Sequence, residues 1–123
     1  MAEAPPTTTS SVAKLVFLRE FSEQEAWEAR DRGYFSHVLV EVDGDRLYPV
    51  FFYDPVRLQQ DLETSAKHGR AFVADPGMIV LSDITIEAMQ EAVQQLCQDG
   101  FFDHLVAVSR ERLAEADPYV WPP

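Results

Sequence analysis

The sequence predicts an α/β fold, an α+β sandwich. A mixed β-sheet of four to five strands packs with about three helices in the order β-α-β-β-α-β-α-β. Three observations predict it. Short apolar, β-branched runs alternate with helical segments that carry capping signals. Glycines stand where those helices stop. A phrase recurs: GYFSHVLV from Gly33 and GFFDHLVA from Gly100.

Residues 1–10 are Pro, Thr, Ser and Ala-rich and predict a disordered tail. Val12 to Leu18 (VAKLVFL) reads as a strand. Ser22 to Glu25 (SEQE) has capping-box spacing and opens a short helix whose main apolar anchor is Trp27. Gly33 ends it. Phe35 to Val42 reads as a strand, Asp43-Gly44 as a hairpin turn and Leu47 to Tyr53 as the return strand. Pro49 cannot donate to a ladder, which puts that strand at an edge or bulges it. Asp54-Pro55 is an N-cap followed by a first-turn proline, and the helix after it stops at Gly69.

Ala71 to Ala74 reads as a short extended piece and Asp75-Pro76-Gly77 as a turn. Met78 to Leu81 is a buried-type strand. Thr85 opens a helix in which Met89, Val93, Leu96 and Cys97 form one stripe. Phe101 to Val108 reads as a strand and Ser109 to Ala116 as a last helix. Residues 118–123 (PYVWPP) form a Pro and aromatic C-terminal tail, whose Tyr119 and Trp121 dock on the body or on a partner. Residues 11–117 then make one domain, a size that supports its own core.

The recurring phrase extends upstream. Leu18 to Ser22 (LREFS) and Leu81 to Thr85 (LSDIT) share the order Leu, polar, acidic, large apolar, hydroxyl. From hydroxyl to glycine is 11 residues in one and 15 in the other, a difference of about one helical turn. This pattern implies an internal β-α-β duplication over 12–42 and 78–108. The strand Leu47 to Tyr53 is apolar on both faces, with Phe51 and Tyr53 on one and Tyr48 on the other. Phe35 extends an apolar second face, which needs either helices or a partner.

Charge narrows the function. Ten Lys and Arg stand against 21 Asp and Glu, a net charge of -11. Phosphate binding needs clustered cations, so nucleic-acid and anionic-membrane partners are excluded. No apolar run reaches the roughly 20 residues of a membrane span. The first residues have neither the basic nor the apolar region of a secretory signal. Cys97 is the single cysteine and reads as a small core hydrophobe, which fits a soluble, cytoplasmic protein. P-loop, GxGxxG, HExxH, CxxC and GxSxG motifs are all missing.

The first expectation is therefore a non-enzymatic acidic protein-binding module. It presents Glu23, Glu25, Glu28 and Asp31 on one helix, with Phe35, Tyr48, Phe51 and Tyr53 on the sheet. The partner is a basic protein or a second copy, a homodimer through the sheet. By analogy of class, small acidic chains of this kind include inhibitors and toxin-neutralising immunity proteins. The alternative is a small-ligand or metal site, catalytic or purely binding. It uses His37 and His104 with a carboxylate such as Glu41 or Asp103, donors that suit zinc; the first expectation needs no cofactor. Tyr53 to Arg57 reads structurally: Asp54 caps a helix and Arg57 pairs with Asp61 four residues on. Lys67-His68-Gly69-Arg70 is a small basic cluster at a helix end.

Overall fold

Pro49 cannot donate to a ladder, so the apolar segment from Leu47 to Tyr53 must be irregular there. In the computed structural model, which describes residues 11–114 and 118–122, the segment breaks at Val50. The elements are β1 (Ala13–Phe17), α1 (Glu23–Arg32), β2 (Tyr34–Phe35), β3 (Val38–Val42), β4 (Arg46–Pro49) and β5 (Phe51–Tyr53). They continue with α2 (Pro55–Lys67), β6 (Met78–Val80), α3 (Ile86–Gln98), a 3-10 turn (Phe101–His104), α4 (Glu111–Ala114) and β7 (Tyr119–Trp121). The mixed α/β class is as expected, with α1, α2 and α3 as the three main helices.

One sheet becomes two. The first is antiparallel, in the order β4-β3-β1-β7. The second has the order β2-β5-β6, with β5 and β6 parallel and β2 antiparallel to β5. The chain passes directly from a strand of one sheet to a strand of the other at Ser36-His37 and at Val50, and changes sheet again through the helical connections from β1 to β2 and from β6 to β7. The expected strand from Phe35 to Val42 is thus two strands in different sheets. Pro49 stands on an edge strand, as its missing N–H requires.

The main core lies where the two sheets meet under α3. Leu15, Phe17, Val40, Phe52, Met89 and Val93 are sealed there. The α3 stripe points inward as its spacing demands, with Met89, Val93 and Cys97 buried. Burial raises the Cys97 thiol pKa above its ordinary value, which suits an inert core group. β7 pairs only with Leu15 to Phe17, so the start of β1 lacks a strand on that side. Glutamines of α3 replace it. Gln94 accepts from the Ala13 N–H at 2.9 Å, and Gln90 donates to the Ala13 carbonyl at 2.8 Å.

The other face of the first sheet carries Val16, Leu39 and Leu47. It is covered by Leu18, Val108, Leu113 and Val120. The Val108 N–H donates to the Leu47 carbonyl at 2.7 Å. Arg110 pins the covering segment through Glu41 at 2.9 Å and the Gly44 carbonyl at 2.6 Å.

Four further differences stand out. Phe101 to Val108 is not a strand. A 3-10 turn drives Phe102 into the core against Tyr48, at 5.3 Å between ring centroids, before an extended segment runs to Val108. The two repeat-like units therefore share a capped helix and a left-handed glycine, then diverge, because only the first glycine leads to a strand with a partner. Ala71 to Ala74 joins no strand. Residues 118–123 are not simply a tail, since β7 lies within them, and Tyr119 packs on Phe17. The expected tail of residues 1–10 lies outside the described residues, as do the last residues of the expected final helix.

Gly77 makes the corner at Val50 possible. Its carbonyl accepts from the Phe51 N–H at 3.0 Å, at a φ of +82°. A Cβ there would meet the Pro49 carbonyl oxygen at 2.5 Å and the Val50 Cα at 3.3 Å. Gly77→Ala should cost at least about 2 kcal/mol, from left-handed strain plus the clash. Urea unfolding measures it, and a loss below about 0.5 kcal/mol, the level of a neutral surface change, would contradict the corner.

Candidate functional site

Helix α1 is built to leave most of itself in solvent. Ser22 caps it, accepting from the Glu25 N–H at 3.2 Å, and Gly33 closes it in the left-handed conformation. Ala29 is its only buried residue. Around the helix, at about 100° per residue, Glu23 and Asp31 flank Trp27 while Glu25 and Glu28 lie farther round. Glu23 and Asp31 lie outward, one turn either side of Trp27. Glu25 and Glu28 face a cleft of 220 Å³ that Arg19, Arg32, Tyr34 and His37 also line. Arg19 holds Glu25 there at 3.1 Å.

Trp27 is not the core anchor its size suggested. It is 67% exposed, and Ala29 is the helix residue sealed in the core instead. The signal was in the sequence. Its neighbours at three and four residues, Glu23, Gln24, Arg30 and Asp31, are all polar, so Trp27 belongs to no apolar stripe. Beside it, Arg30 grips Asp83 through two nitrogens at 2.9 and 2.7 Å. Trp27, Arg30, Asp31 and Asp83 together line a shallow hollow. Asp31 sits in the helix's last turn, where a carboxylate opposes the dipole. The fold gains nothing from it there.

The predicted sheet residues do not form an open face. Phe35 is buried against Phe17 and Phe21, Tyr48 against Phe102, and Tyr53 beside Tyr34. Phe51 is half-buried. A homodimer through the sheet would need these side chains at the surface.

The two histidines stay apart. His37 is exposed at the crossing between β2 and β3, edge-on to Phe35 at 6.2 Å. His104 lines a different, apolar hollow with Pro49, Pro76, Leu105 and Val106. The carboxylates named with them are engaged elsewhere, Glu41 with Arg110 at 2.9 Å and Asp103 near Arg46 at 4.0 Å. Among the described residues no group of three or more His, Cys, Asp or Glu could hold a metal ion. The recurring histidine is thus a feature of the chain's helix ends and not of one site.

At the start of α2 the structural reading holds. Asp54 accepts from the Arg57 N–H at 2.8 Å, and Arg57 pairs with Asp61 at 3.0 Å. Unforeseen was Tyr34, whose ring lies 5.4 Å beneath the Arg57 guanidinium and 4.9 Å from Tyr53. In the basic cluster, His68 Nδ1 lies 2.9 Å from the Thr64 carbonyl and Arg70 covers Phe72 at 4.7 Å.

Among the described residues no helix is long and apolar enough to cross a membrane. Comparison with known families matches no family model, and comparisons with curated proteins and with solved structures find no significant match.

Burial, reinforced by a hydrogen bond to Asp61 and its negative charge, pushes the Tyr53 phenol up to about 12 from 10.0. The folded chain keeps this proton while the unfolded chain loses it. The associated stability is complete below pH 10 and drains away as pH rises towards 12. Stability of wild type and Tyr53→Phe, followed by urea unfolding across that window, should diverge, with the variant losing less. Parallel losses would contradict the assignment.

Proposed function

We propose that the protein is a non-enzymatic binding module that presents the outer face of α1 to a basic protein partner. A toxin-neutralising inhibitor of the immunity type is one form of such a module, and the cytoplasm is its setting, in keeping with a single buried Cys97. The observation that carries the reading is Trp27, exposed on the surface between the outward carboxylates Glu23 and Asp31. Tryptophan is among the residues enriched as anchors at the centres of protein interfaces, and here it stands between two carboxylates. The carboxylates add to the net charge of -11, which speeds encounter with a basic surface and repels a second copy.

The reading also separates the four acids. Glu25 is already neutralised by Arg19, so it contributes less than Glu23 and Asp31. Surface plasmon resonance against an immobilised octapeptide of alternating Lys and Arg tests this at low salt. Glu23→Gln with Asp31→Asn should slow association roughly threefold and flatten its salt dependence. Glu63→Gln with Glu91→Gln removes the same charge from exposed sites on α2 and α3 and should do much less. Equal effects of the two pairs would show that only the overall charge matters and would overturn the reading.

A further inference from the structure

We infer that Trp27 is the anchor of this surface and that it receives an arginine side chain of the partner, an inference that rests on the reading of α1 as the docking face. The ring is presented rather than left over. α1 buries Ala29 and leaves position 27 outside, so nothing in the helix's packing requires an aromatic there. One turn before it stands Glu23 and one turn after it Asp31. Neither has an ion-pair partner among the described residues. The nearest cation on the helix face, Arg30, is held by Asp83, which reaches it from 53 residues away with both carboxylate oxygens. That pair walls one side of the hollow and keeps Arg30 occupied.

What remains, among the described residues, is an exposed indole with an unpaired acidic residue on either side, each about 6 Å away along the helix axis between backbone positions. A cation over an aromatic face is attracted by the ring, and tryptophan is the strongest such acceptor. A guanidinium lying flat on the indole still has in-plane N–H donors to spare, and these can reach the Glu23 or Asp31 carboxylate in a paired geometry. A lysine ammonium is a compact, strongly hydrated point charge that gains less from stacking. The chemistry of the patch therefore selects arginine over lysine, and a segment with two basic residues can satisfy both carboxylates.

The experiment uses the full chain, ¹⁵N-labelled, with acetyl-tetraarginine amide and acetyl-tetralysine amide as probes. Trp121→Phe assigns the Trp27 indole N–H signal. The tetraarginine probe should move that signal and bind severalfold more tightly than tetralysine. Trp27→Leu, which leaves the exposed helix intact, should reduce the arginine affinity to that of lysine with an unchanged melting temperature. If the amides of α1 shift while the indole does not, the charge reading survives and the anchor is overturned. Equal affinity for both probes overturns the arginine preference. No response anywhere on α1 overturns anchor and docking face together, as does self-association that buries Trp27.

Discussion

The fold depends on one corner, where β4 gives way to β5 at Pro49 and Val50 and Gly77 passes against them. Leu47 to Tyr53 is apolar on both faces, and a single sheet would leave one face to cover. By ending β4 at a residue without an N–H and turning at the fully buried Val50, the chain assigns its first half to one sheet and its second half to another. Tyr48 then meets Phe102, and Phe52 enters the main core. β6 can pair with β5 only by running across the corner, and the hydrogen bond from Phe51 to Gly77 marks that crossing.

Two consequences reach function. The apolar strands are consumed internally: α3 closes the core, and the segment carrying Val108 and Leu113 covers the far face of the first sheet. α1 contributes only Ala29 to burial, and on its outer side Arg30 ties it to the body through Asp83. That surface holds Glu23, Trp27 and Asp31, one of which opposes the helix dipole and one of which exposes a large aromatic to water. Such choices carry small stability costs that a binding role would offset.

Local chemistry was the legible part. The Ser22, Asp54 and Thr85 caps all bond as their sequence spacing predicts, the Asp43-Gly44 hairpin joins β3 to β4, and the α3 stripe faces the core. Each of these depends on residues within about one helical turn or one hairpin. Pro49 announced an irregularity but not a change of sheet, because the destination of β5 is set by pairing with Tyr34, Phe35 and Met78 to Val80, distant in sequence. The likeness of GFFDH to GYFSH failed to give a second strand for the same reason: the phrase encodes the helix stop, while strand formation needs a partner. Tyr-Val-Trp between prolines was too short to reveal β7. Of the four acids on α1, Glu23 and Asp31 are exposed while Glu25 and Glu28 are half-buried at a cleft, a division set by which helix positions face the body. The size of Trp27 suggests burial, but its polar neighbours at three and four residues place it outside any apolar stripe.

The central claim is that Trp27 stands in water on a helix that gives the core only Ala29. Tryptophan fluorescence of the Trp121→Phe variant, which leaves Trp27 as the single indole, tests it directly. The account predicts emission at the red end typical of a solvated indole, with quenching by acrylamide close to that of a free tryptophan derivative. Blue-shifted emission protected from acrylamide in the isolated protein would place Trp27 inside, and would contradict both the description of α1 and the function built on it.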